Sequence, residues 1–305
     1  MCLLIVKTFK MKGKKDIALV LSGGGARGLA HIGVIEELLD RGYNITSIAG
    51  TSMGSIIGGV FALGKLQDYK SWMFSLDKID VFRLLDFTFS NSGLIKGNRV
   101  FEKMKEFIPD HNIEDLPVPF AAVAVDLKSD REVVFREGSV YDALRASIAI
   151  PTVIRPVFKD GAILVDGGVL NNIPINTVHR KPDDMLIAVN VNADIEIQKP
   201  VFSKEEEEKQ LSLYQKKIQE FKKYIGKNKE KQKKEKHLNY LDIVTKTINL
   251  MTNKIAEHNL KKFPPDLLIE TSEYACGTFE FYKAKEMFEI GRHATKLKLD
   301  EFENR

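Results

Sequence analysis

Ser52 stands at the centre of Gly50-Thr51-Ser52-Met53-Gly54, a G-x-S-x-G run set between a strand-like stretch and a helix-like one. A serine so placed is exposed on a tight strand-to-helix turn, where the helix N-terminus favours developing negative charge. The elbow glycines Gly50 and Gly54 leave room for a bent backbone. The same residues also fit a serine cap in a glycine-rich turn. A serine nucleophile further needs a base and a set of donors for the oxyanion. Gly23, Gly24 and Gly25, followed by Arg27 and Gly28, offer the donors, because consecutive glycines let backbone N–H groups converge on an anion. Arg27 either adds positive charge there or locks the loop.

Gly23, Gly25 and Gly28 also match the dinucleotide fingerprint G-x-G-x-x-G. That motif expects an acid about 20 residues on, at the end of the second strand. Here the second strand-like run ends Ile48-Ala49-Gly50-Thr51-Ser52, without an acid, so the dinucleotide reading is set aside. A P-loop is excluded because no G-K-[ST] follows the glycines. Six histidines are available as bases (His31, His111, His179, His237, His258 and His293), and none stands in a loop after a strand. His31 lies one turn into the first helix, within reach of the glycine loop. Asp166 begins Asp166-Gly167-Gly168 at the end of a strand-like run, ahead of Asn171-Asn172-Ile173-Pro174. An acid at a strand end sits where α/β active sites gather. Asp-Gly is equally strong turn chemistry, and spacing alone leaves both readings open. No metal-ligand spacing is present, so no metal and no cofactor are expected.

These residues need a scaffold, and the pattern supplies an α/β one. Apolar runs at 16–21, 45–49, 120–125, 132–135, 162–165, 185–191 and 267–270 predict strands. Helical periodicity predicts helices at 29–40, 55–63, 98–107, 141–146, 240–261 and 284–299. In the last of these, Met287, Ile290, Ala294 and Leu297 form the expected core stripe. The opening β-loop-α-β unit predicts a mainly parallel sheet in a three-layer α/β/α fold. The 305 residues are 44% hydrophobic, enough for a sizeable core and unlike a disordered chain. A net charge of +4 is too small for a dedicated nucleic-acid binder, so no nucleic-acid partner is expected.

Two cysteines, Cys2 and Cys276, give no disulfide framework and fit a reducing compartment. The apolar run near the start spans only 2–6, short of a signal core, and Met11 is an alternative start. No apolar run reaches membrane-spanning length. A cytoplasmic protein is expected.

Taken together, the blocks resemble the patatin-like phospholipase family in its bacterial form. The residues that carry the resemblance are Gly23-Gly24-Gly25-Ala26-Arg27-Gly28, Gly50-Thr51-Ser52-Met53-Gly54, Ala146-Ser147-Ile148-Ala149-Ile150-Pro151 with Pro156, and Asp166-Gly167-Gly168. Their order and spacing agree over 16–191. The resemblance implies a serine lipid acyl hydrolase with a Ser-Asp dyad and no catalytic histidine. Ser52 would be the nucleophile and Asp166 the base, with Gly24 and Gly25, and Met53 beside them, holding the oxyanion. The implied partner is a lipid or another acyl ester. A binding protein on the same fold, or an acyltransferase with the same dyad, are the alternatives.

The expected domains are an extension (1–15), a catalytic core (16–200), a charged helical insertion (201–238), and closing helices and strand (239–305). The insertion differs in composition: 204–236 holds 12 Lys and 7 Glu, so the rest of the chain carries −1. Leu211, Tyr214, Ile218, Phe221 and Ile225 form an apolar stripe along it. Two readings fit: a hairpin packed on the helix at 240–261, or peripheral membrane contact with lysines among the headgroups.

Overall fold

The computed structural model describes residues 15–90, 93–198 and 240–304. The charged segment 204–236 and its apolar stripe lie outside the described residues. β1 (Lys15–Leu21) is followed by a 3₁₀ turn at Gly25–Leu29, then α1 (Ala30–Asp40), β2 (Tyr43–Thr51) and α2 (Met53–Ala62). Next come α3 (Leu66–Ser75), α4 (Lys78–Leu84), the strands β3 (Phe87–Ser90) and β4 (Gly93–Ile95), and α5 (Arg99–Lys105). β5 (Phe120–Asp126), β6 (Arg131–Phe135), α6 (Val140–Ser147), β7 (Val157–Lys159), β8 (Ala162–Asp166) and β9 (Met185–Ala193) follow. α7 (Tyr240–Lys262), β10 (Leu267–Ser272) and α8 (Ala284–Glu303) close the described chain.

Eight strands form one sheet in the order β10-β9-β1-β2-β5-β8-β7, with β6 also paired to β5. β1 lies inside it, and Ile17 through Leu21 are fully buried, as a parallel strand covered on both faces must be. Alternation along β1 divides the core. Ile17, Leu19 and Leu21 join the larger cluster with α1, α2 and α8, while Ala18 and Val20 join a smaller one with Ile173, Val178 and Ala256. Helices therefore flank both faces, the three-layer arrangement expected from the sequence.

The sheet is mixed, more so than the expected parallel one. The pairings of β10 with β9, β9 with β1, β1 with β2 and β2 with β5 are parallel. Those of β5 with β6, β5 with β8 and β8 with β7 are antiparallel. β6 runs along β5 from Ala122 to Asp126, occupying one edge of that strand. β2 and β8 must then share the other edge, one after the other. β2 climbs it to the pair Thr51–Val123, and β8 descends it to the neighbouring pair Asp166–Ala124. The two strands meet head to head.

Four further elements were not expected: α3, α4, the β3–β4 hairpin and β7. In the C-terminal helix Met287, Ile290 and Ala294 of the expected stripe are buried, and Leu297 departs from it. Leu297 is 46% exposed, and the buried residues Met287, Phe288, Ile290, Gly291, Ala294 and Thr295 centre on Gly291 instead. A Cβ on Gly291 would run into the Ala30 carbonyl and one on Gly33 into that of Phe288, so α1 and α8 cross at near-backbone contact. Arg41 reaches Asp300 at 2.6 Å and Arg292 reaches Glu37 at 3.1 Å, tying the same two helices at the surface.

The described residues fall into two compact units, one holding 15–198 and 251–304 and the other holding 240–250. All residues of the candidate site belong to the first. No described helix is long and apolar enough to cross a membrane.

Candidate active site

Ser52 occupies the single residue between β2 and α2, with φ 53° and ψ −123°. This left-handed conformation disfavours a side chain and costs about 1–3 kcal/mol unless the surroundings hold it. They do. The Ser52 N–H donates to Ser147 Oγ at 2.9 Å, and its carbonyl accepts Ser55 Oγ at 2.6 Å and the Ser55 N–H at 3.0 Å. Gly54 lets this turn close, because a Cβ there would collide with the carbonyls of Leu21 and Ser22 at the end of β1. Met53 is the first residue of α2, where helix N–H groups have no intrahelical acceptor.

Asp166 ends β8 beside this turn and is 6% exposed. Its carboxylate accepts a hydrogen bond from the Gly168 N–H at 2.8 Å and lies beside the Ser52 hydroxyl. Burial pushes the Asp166 carboxyl up to about 6, while the nearby Ser52 hydroxyl and the Gly168 N–H pull it down. Asp166 caps a 3₁₀ turn at Gly167–Val169, and the same carboxylate lies beside the serine. Its route differs from the expected one. β8 runs antiparallel to β5 and lies inside the sheet, so its C-terminal end would ordinarily point away from Ser52. The head-to-head meeting with β2 brings it level with Thr51.

The glycine loop lies against the serine. A Cβ on Gly23 would fall 3.1 Å from Ser52 Cβ and 2.5 Å from Asn172 Oδ1, and one on Gly28 would fall 2.5 Å from Met53 Cγ. The Gly23 N–H is taken, donating to the Asn172 carbonyl at 3.1 Å, so Gly23 is not a donor for an oxyanion. Within the described residues no hydrogen bond takes up the N–H groups of Gly24 and Gly25. Arg27 turns away from the serine. Its Nε and Nη2 donate to Asn192 Oδ1 at 3.0 and 2.8 Å, and its Nη1 reaches the Cys276 carbonyl at 3.4 Å. Of the two sequence readings, locking the loop is the one this geometry matches.

Four residues escaped the sequence reading of the site. Ser147 was quoted only as part of a block. Its hydroxyl donates to the Val123 carbonyl at 2.6 Å while accepting from Ser52, at the point where β2 and β8 meet. The Asn171 carbonyl accepts Thr51 Oγ1 at 2.8 Å, so the loop after Asp166 is tied to the elbow. Asn172 ties the same loop to Gly23. Asn192 sits at the end of β9, next to β1, and strand order is what brings it there. None of these carried a sequence signal beyond its residue type.

Among the described histidines only His31 touches this region. Its Nε2 lies 2.8 Å from the Ser22 carbonyl, and burial lowers the ring to about 4, so it is neutral and donates from Nε2. It steadies the glycine loop. Among the described residues no group of three His, Cys, Asp or Glu converges as a metal site. A cavity of about 480 Å³ lined by Ile48, Leu116, Phe120, Arg136, His179 and Arg180 lies by the N-terminal end of β5, away from Ser52.

The family model described as patatin-like phospholipase matches residues 19–179, more than half of the chain. An uncharacterized NTE family protein of Mycobacterium bovis is 31% identical over 94% of this chain and 92% of its own length. The mouse patatin-like phospholipase domain-containing protein 6 is 33% identical over 59% of this chain and 14% of its own. Among solved structures, VipD of Legionella pneumophila superposes with a TM-score of 0.48 at 15% identity, covering 95% of this chain and 67% of that one.

Proposed function

Given that this chain belongs to the patatin-like phospholipase family, a family of lipid hydrolases, we propose that Ser52 is its nucleophile and Asp166 its base. The observation that carries the reading is the position of Ser52, held in a left-handed turn beside the buried Asp166 carboxylate where β2 and β8 meet. Ser52 Oγ attacks the ester carbonyl as its proton passes to Asp166. The carbonyl electrons move onto oxygen, and the N–H groups of Gly24 and Gly25, with that of Met53, receive the oxyanion. Removing one such donor typically costs about 10²–10³ in rate.

Collapse of this intermediate expels the alcohol, which takes the proton back from Asp166 and leaves the acyl group on Ser52. Water then repeats the sequence: Asp166 takes a proton from it, hydroxide oxygen bonds the acyl carbon, and Ser52 leaves with that proton. An ordinary carboxylate is a weak base near neutral pH. Burial of Asp166 strengthens it, which suits the task.

The test is fatty-acid release from phosphatidylcholine and lysophosphatidylcholine dispersions by the parent and by Ser52→Ala. Release by the parent that falls at least about 10³-fold in the variant is the expected result. Release that survives in Ser52→Ala would overturn the assignment. Binding of the lipid without any release by the parent would favour a binding protein on this fold.

A further inference from the structure

Asn192 makes no hydrogen bond to Ser52 or Asp166, yet it grips the glycine loop at a decisive peptide. It is 9% exposed, at the C-terminal end of β9. Its Nδ2 donates to the Gly23 carbonyl at 2.7 Å. Its Oδ1 accepts both Nε and Nη2 of Arg27. The guanidinium has donors only, so it must face the oxygen of the amide, and the NH₂ is left to face Gly23. The reversed amide would set NH₂ against guanidinium and oxygen against carbonyl oxygen. Arg27 thus fixes which way Asn192 points.

Asn192 in turn fixes the Gly23–Gly24 peptide. The carbonyl of Gly23 and the N–H of Gly24 are opposite ends of one planar trans unit. Holding the carbonyl towards Asn192 turns the Gly24 N–H the other way. Between two glycines little else resists rotation of that plane, since neither has a Cβ to bias it. We propose that Asn192 is a positioning residue that, oriented by Arg27, aims the Gly24 N–H at the oxyanion. This rests on the reading that Ser52 attacks an ester beside the glycine loop.

The test compares the parent, Asn192→Asp and Asn192→Ala on p-nitrophenyl butyrate and on the thionoester of the same acid. Aspartate keeps the contact with Arg27 but cannot donate to Gly23 and repels its carbonyl. Alanine removes both bonds, and it serves if the aspartate variant does not fold. A thionoester sulfur accepts hydrogen bonds poorly, so the ester-to-thionoester ratio of kcat/KM reports donors on the reacting carbonyl.

In the variants kcat on the ester should fall about 10²–10³-fold with KM within about threefold, and the ratio should fall with it. An unchanged kcat, or an equal loss on both substrates that leaves the ratio at the parent value, would overturn the proposal. A parent inert towards both substrates would overturn the hydrolase reading itself, and with it the premise. Those failures are distinguishable because only the second appears without any variant.

Discussion

Two buried titratable groups near the site work against each other. Asp166 holds its proton up to about 6, against an ordinary value of 3.8. Its contribution to stability is full below pH 3.8 and is lost as pH rises through about 6. His31 is lowered from 6.5 to about 4, so its contribution is present above pH 6.5 and is lost as pH falls through about 4. Asp166→Asn removes the first effect and leaves the second. Thermal unfolding should show the variant more stable than the parent at pH 8, by roughly 2–3 kcal/mol, with that advantage gone near pH 4. An advantage that does not change with pH would contradict the buried carboxylate. In the parent, kcat/KM should decline below about pH 6 as the base is protonated. The serine was legible because its glycines and flanking pattern are local. Asp166 was ambiguous on spacing because its turn is real and its partner is 114 residues away in sequence.

At the scale of elements, the site exists because β2 and β8 end against each other on one edge of β5. A ladder broken there leaves the Val123 carbonyl to be satisfied from elsewhere, and Ser147 at the end of α6 does so while holding the Ser52 N–H. Ser147→Ala leaves both groups without a partner. Each buried group so stranded costs about 1–3 kcal/mol, so the melting temperature should drop and kcat should fall more than KM rises. Unaltered stability and kcat would show that the junction is held by something else. The α1–α8 crossing makes a separate prediction: Gly291→Val should destabilise the fold by about 2 kcal/mol or more, measured by denaturant unfolding, because Ala30 backbone fills the space its side chain needs. Strand runs and long helices were legible from apolar periodicity. α3 was not, since its buried residues Leu66, Tyr69 and Met73 are interleaved with polar ones. The direction of β8 was not either, because alternation within a strand says nothing about its neighbour.

For the whole molecule, the sequence-level family resemblance and the three-layer fold agree, and the candidate site lies where the C-terminal ends of β1 and β2 open. The cavity by the N-terminal end of β5 is a different place. Strand order is the property of the whole chain that assembled the site: it set Asn192 beside Gly23 and Asp166 beside Ser52, across 169 and 114 residues.

Acylation of Ser52 is the one covalent event the proposed dyad requires, and its most direct measurement is the rate and place of labelling by a fluorophosphonate. Peptide mapping of the parent should find the adduct on Ser52, forming along a pH profile with an apparent midpoint near 6, and Asp166→Asn should slow it by at least about 10²-fold. An adduct on another residue, or an Asp166→Asn variant that labels at the parent rate, would contradict the dyad.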